Sequence, residues 1–185
     1  MPEAMNTKAA ERLAALERGC TLDEALAFFD SLPPVTTEQL RGRFRGSEFP
    51  TGHPMEGLLE QFGWYGKEFV DEETVHPLLF RDASGKVFKV DPRKLPVELA
   101  SRVPRVGGSV ARHAFSALEP VIGTSKPRAR LRNVEYRGKV SATIIYDHLP
   151  IHDYFRRVDD DTILGVMDRR GVERPFFFVL RRDRA

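Results

Sequence analysis

Cysteine is almost missing from this chain: Cys20 is the only one in 185 residues. No internal disulfide can form, and a zinc site made of cysteines alone is excluded within one chain. Such usage points to a reducing cytoplasm. Long apolar runs are missing too. Nothing approaches the roughly 18 apolar residues of a membrane-spanning helix. Residues 1–19 are charged and alanine-rich, so a secretory signal is not expected. Neither sign of charge dominates: 29 basic and 27 acidic residues give a formal +2.

What is present fits one globular unit. Hydrophobic residues make up 41% and charged residues 30%, a balance that excludes disorder and supports a sizeable core. The charge is uneven. Residues 1–127 carry 16 basic and 18 acidic groups, and 128–185 carry 13 and 9. Within 100–132, Arg102, Arg105, Arg112, Lys126, Arg128, Arg130 and Arg132 face only Glu119. Phe115 is the sole aromatic there, so the aromatic interleaving of a nucleic-acid surface is absent and a solvated basic face is expected.

The chain reads as four segments. Residues 1–33 form a helical pair: Ala9, Ala10, Leu13 and Leu16 share one face, and Gly19 ends it. Thr21 and Glu24 make a capping box for a second helix with the stripe Leu22, Ala25, Leu26 and Phe29, which Pro33 and Pro34 stop. That stripe is expected to pack on the following segment or in a homodimer. Residues 34–98 hold a strand or extended piece near Leu40–Phe49, a helix from Pro54 with Met55, Leu58, Leu59 and Phe62 on one face, and strands at Trp64–Val70, Val75–Arg81 and Lys86–Val90. Residues 99–127 are a proline-interrupted basic connection with a helix over Ser109–Leu118, Ser109 as its N-cap. Residues 128–185 predict strands at Leu131–Tyr136, Lys139–Tyr146, Thr162–Met167 and Pro175–Leu180. The spacing of Ile151, Phe155 and Val158 predicts a helix over 149–158. Seven or more short strands with tight turns, lacking crossover helices, predict an α+β protein. Its body is an antiparallel, calycin-like β-barrel covered by the helical pair and short helices.

Several blocks resemble a known family. Phe49-Pro50-Thr51-Gly52-His53-Pro54, then Gly63-Trp64-Tyr65-Gly66-Lys67 and Phe69, then His76-Pro77-Leu78-Leu79-Phe80, are similar to the bacterial GXWXG family. Tyr146-Asp147, Pro150-Ile151, Asp153, Phe155-Arg156, Gly165, Asp168 and Phe177-Phe178 resemble the domain of unknown function that follows it there. The first glycine of a strict G-x-W-x-G falls on Phe62, with Gly63 beside it. Trp64 is also loosely similar to the tryptophan of lipocalins and of nitrobindin-like haem barrels, where an indole plugs one barrel end. The family resemblance implies this two-part arrangement, and the looser one a barrel with Trp64 at one end.

Small barrels that are not filled by side chains enclose apolar cavities. Trp64, Phe69, Phe80, Tyr146, Phe155 and Phe178 are the expected walls. Lys67 and Arg156 are the expected anchors for the head group of an amphipathic ligand such as a fatty acid or phospholipid. The alternative is a cofactor-independent hydrolase or isomerase working through Asp147, His148, His152 and Asp153, a histidine serving as base and a carboxylate orienting it. Haem held by one histidine is a further alternative. No metal site, no other cofactor and no nucleic-acid partner are expected. His53 and His76 form a looser set with Lys67, His53 being read as a helix cap.

Overall fold

The computed structural model describes residues 2–95 and 108–184, with side chains described from Thr7 onward. Helices α1 (Pro2–Leu16) and α2 (Leu22–Ser31) come first. Thr21 and Glu24 form the expected capping box, the Thr21 hydroxyl accepting from the Glu24 amide. Nine strands follow among the described residues: β1 (Gly42–Glu48), β2 (Trp64–Phe69), β3 (Val75–Arg81), β4 (Val87–Lys89), β5 (Ala129–Tyr136), β6 (Lys139–Tyr146), β7 (Ile151–Arg157), β8 (Thr162–Arg169) and β9 (Phe176–Arg182). Short helices α3 (Leu58–Gln61), α4 (Gly108–Ala117) and α5 (Glu119–Ile122) lie between them.

All the strand pairings are antiparallel, in the order β2-β1-β9-β8-β7-β6-β5-β3-β4. β2 also pairs with β3, so eight strands close into a ring and β4 hangs on the outer part of β3. The seam between β3 and β5 is the slightest, with Val75 opposite Ala129. First and last strands meet: Phe44–Glu48 of β1 runs along Phe178–Arg182 of β9.

Strand alternation divides the apolar residues into two cores. Phe44, Phe69, Phe155, Phe176, Phe178 and Leu180 point into the ring. Tyr154, Leu164, Val166, Phe177 and Val179, on the outer faces of the same strands, are covered by Leu13, Leu16, Ala25, Phe28 and Phe29 of α1 and α2. The helical pair therefore roofs one side of the sheet, which is why Phe176–Leu180 is apolar on both faces.

Three expectations are corrected. The segment expected to be helical over 149–158 holds the strand β7 (Ile151–Arg157). Ile151, Asp153 and Phe155 face inward while His152, Tyr154 and Arg156 face outward, and burial on both sides of β7 hid the alternation. The helix expected from Pro54 is a turn followed by the single turn α3, ended by Gly63 with φ +83°. Ser109 lies inside α4, which already includes Gly108. In the basic stretch Arg128 meets Asp91 at 2.8 Å, Arg130 meets Asp147 at 3.3 Å and Arg132 meets Glu73 at 2.6 Å, the Arg130 and Arg132 side chains staying well exposed, as on a solvated face. Arg102 and Arg105 lie outside the described residues.

Candidate functional site

The ring is not filled. A cavity of about 350 Å³ lies between its wall and the short helices. Trp64, Leu78, Phe80, Ile151, Met167, Phe176 and Phe178 line it from the strands, and Met55, Leu58, Leu59, Phe62, Phe115, Leu118 and Ile122 from the helical side. Phe115 anchors that side, its ring 4.7 Å from Phe80 and 5.1 Å from Phe62. Glu48 holds α3 against β1 by accepting from the amides of Gly57, Leu59 and Glu60, the open donors of a helix start.

Glycines answer two close approaches between β1 and β2. A Cβ on Gly46 would sit 2.3 Å from the indole. Gly66 has φ +144° and lies where a Cβ would be 1.9 Å from the Phe44 carbonyl oxygen. The β2–β3 register shifts on both sides of Gly66. Glycine there answers the crossing of two backbones at a bulge.

Against this apolar wall stand the exposed Lys94, which donates to the Val121 carbonyl, and a buried polar group of three side chains. The Lys67 ammonium is 2.8 Å from Asp153 Oδ2, with the two side chains only 4% and 1% exposed. It also donates to the Pro77 carbonyl at 3.0 Å and to the Tyr146 hydroxyl at 3.4 Å. The Tyr146 hydroxyl in turn donates to Asp153 Oδ2 at 3.2 Å. Burial, followed by the charge and hydrogen bond of Asp153, pushes the Tyr146 phenol well above its ordinary pKa, so it stays a donor. The rings of Phe178, Trp64 and Tyr146 surround the ammonium at 4.9, 5.8 and 5.9 Å. Asp153 Oδ1 and Trp64 Nε1 are fully buried and have no hydrogen-bond partner among the described residues.

Of the expected ligand contacts, Trp64, Lys67, Phe80, Tyr146 and Phe178 line the cavity. Phe69 and Phe155 do not. They pack with each other at 6.1 Å and with Phe44 and Phe178, filling the rest of the ring. Arg156 is also outside it. β7 turns it to the outer face, where it lies 4.6 Å over Phe29 and donates to the carbonyls of Tyr136 at 2.7 Å and Phe155 at 3.0 Å. Burial lowers its pKa.

The Asp147/His148/His152/Asp153 cluster does not converge. His148 is exposed, Asp147 is exposed beside Arg130, and His152 points outward to the Tyr154 hydroxyl at 3.1 Å. Only Asp153 reaches the cavity. None of the five histidines is among the described residues lining it, so the residues present do not fit a histidine-held haem. His53 Nδ1 accepts from the Met55 amide at 3.1 Å, and its Nε2 lies 3.1 Å from the Arg174 carbonyl. That makes it a local cap, and His76 is buried apart from it. The Lys67–Asp153 partnership was missed because the residues are far apart in sequence. The signal lies in the β6–β7 hairpin, where Asp153 is opposite Ile144 and so shares a face with Tyr146.

No curated protein matches the chain. A protein from Thermomonospora curvata with a solved crystal structure is 31% identical, covers 98% of this chain and 99% of its own length, and superimposes with a TM-score of 0.71. Residues 27–85 match the GXWXG protein family and residues 127–182 match a domain of unknown function, DUF4334. The chain belongs to the GXWXG family, with DUF4334 as its second part.

Proposed function

We propose that the ring acts as a calycin-like barrel that binds one small, largely apolar molecule in its cavity. One observation carries this: an apolar space of about 350 Å³ that ends on a buried Lys67–Asp153–Tyr146 group. Small-molecule pockets run from roughly 300 to 1,000 Å³, apolar with a few placed polar groups. This volume suits a single-chain or compact ligand. A buried ion pair is weak support for stability, since apolar residues of similar volume often do as well. Its position on a cavity wall therefore favours recognition. The composition favours the reducing cytoplasm as the place of action.

Trp64 is the only tryptophan and lines the cavity, so its emission reports on occupancy. Titration with medium-chain amphiphiles is expected to give a saturable change at one ligand per chain. Ile122→Phe, which puts a ring into the space, is expected to weaken binding about tenfold or more while the fold persists. Unchanged Trp64 emission across the series, with no shift in Tm, refutes the reading.

A further inference from the structure

Resting on that cavity reading, we infer that the ligand is a single-chain amphiphile with an anionic head group, held head-out, its tail in the cavity and its head against Lys94 at the rim. Two lysines line this cavity, and they differ in what they have left to give. Lys67 is buried, and an ammonium has three N–H bonds. Its own go to Asp153 Oδ2, the Pro77 carbonyl and the Tyr146 hydroxyl, at 2.8, 3.0 and 3.4 Å. An anion brought there must displace one of these partners and stand against the Asp153 charge. The buried pair thus turns a charged head away from the inner end and leaves that end to hydrocarbon.

Lys94 is the opposite case. It is exposed, and its ammonium donates to the Val121 carbonyl in α5. No carboxylate lies within ion-pair distance of it among the described residues. Glu119 of α5 pairs with Lys86 at 3.0 Å, and Asp91 is shared by Arg93 and Arg128, each at 2.8 Å. One carboxylate between two guanidiniums leaves a positive charge over, and Lys94 adds another. Arg93, Arg128 and the exposed His148 border a cleft that shares Pro92, Tyr146 and Leu149 with the cavity or its rim. Among the described lining residues only Lys94, Ala114 and Leu118 are exposed, so the cavity opens beside α4 with Lys94 as the charge at its mouth. A tail entering past Ala114 and Leu118 leaves its head in water, beside an ammonium with N–H bonds to spare. A head held there keeps most of its hydration, so it avoids the desolvation cost of a buried ion. An exposed ion pair contributes modestly; the tail supplies affinity and Lys94 the choice of head group.

The test titrates decanoate, decanol and decyltrimethylammonium into the full chain and its Lys94→Gln and Lys94→Glu variants, by calorimetry and Trp64 emission. Lys94→Gln is expected to weaken decanoate about three- to fivefold in dilute buffer and to leave decanol unchanged, the margin of one exposed ion pair. Lys94→Glu is expected to weaken decanoate further and to favour the cation, and added salt to erase these differences. Orientation is read from bromine quenching. Trp64 stands beside the buried Lys67, so decanoate brominated at its last carbon is expected to quench its emission more than decanoate brominated next to the carboxylate. Decanoate affinity unchanged by both Lys94 variants, or an equal or reversed order of quenching, overturns the head-out assignment and leaves the cavity reading standing. Failure of all three ligands to bind the native protein overturns both.

Discussion

Gly66 sits where only glycine fits. Its φ of +144° and the 1.9 Å clash awaiting a Cβ act together. Gly66→Ala is expected to destabilise the protein by about 2–4 kcal/mol, seen as a lower urea midpoint. Histidines set the acid side. Burial lowers the pKa of His53, against the Arg174 carbonyl bond and Glu56, which raise it. Burial and then Lys89 lower that of His76, with Glu68 opposing. As pH falls below the ordinary value of 6.5, the unfolded chain takes up protons that the folded chain resists. Their contribution is therefore full above that value and is lost as pH drops through it. Tm is expected to fall between about pH 7.5 and 5.5, less steeply in His53→Gln/His76→Gln. An identical slope in the variant would remove these residues as the cause. The motif glycines and Trp64 were legible in the sequence. Gly46, which the indole covers, was not, because the contact joins different strands.

At the scale of elements, the roof formed by α1 and α2 explains a buried charge. Arg156 has no carboxylate within ion-pair distance among the described residues, and Phe29 lies beneath its guanidinium. Phe29 also packs edge-on to Tyr136 and Phe177 at 6.2 and 6.3 Å. Phe29→Ala is expected to cost about 3–5 kcal/mol. Arg156→Met is expected to stay within about 2 kcal/mol of the native stability, with ligand affinity unchanged. A loss of affinity in that variant would return Arg156 to the site. The β5–β6 hairpin was readable from period-two alternation and the Arg137-Gly138 turn, where Arg137 adopts φ +51°. β7 was not, since Ile151, Phe155 and Val158 have helical spacing while Asp153 and Arg156 place a charge on each of its faces. Polarity misleads where both faces are buried.

The whole molecule depends on pairings that join its two halves. β1 belongs to the first half and β9 to the second, and they run side by side over Phe44–Glu48 and Phe178–Arg182. The second junction, β3 with β5, rests on Val75 opposite Ala129 and on two nearby amide bonds, Arg128 to the Val75 carbonyl at 3.1 Å and Leu131 to the Glu72 carbonyl at 2.7 Å. The polar group is shared in the same way: Lys67 comes from one half, Tyr146 and Asp153 from the other. That the two sets of strands close one barrel together was legible, since neither has enough strands alone; which edges meet was not, because pairing across more than fifty residues leaves no local trace.

The β1–β9 junction makes each half an unfinished object with two bare strand edges, which is a recipe for self-association when alone and for reunion when together. Residues 1–95 and 108–185, produced separately, are expected to aggregate. Refolded in one vessel, they are expected to reassemble into a one-to-one complex, seen by size-exclusion chromatography and by recovery of ligand-sensitive Trp64 emission. A first piece that stays monomeric and cooperatively folded would show that it needs no partner edge. If reunion occurs, the molecule becomes a split reporter, since bringing the two pieces together would rebuild at once the sheet, the cavity and the light-emitting side chain that senses its contents.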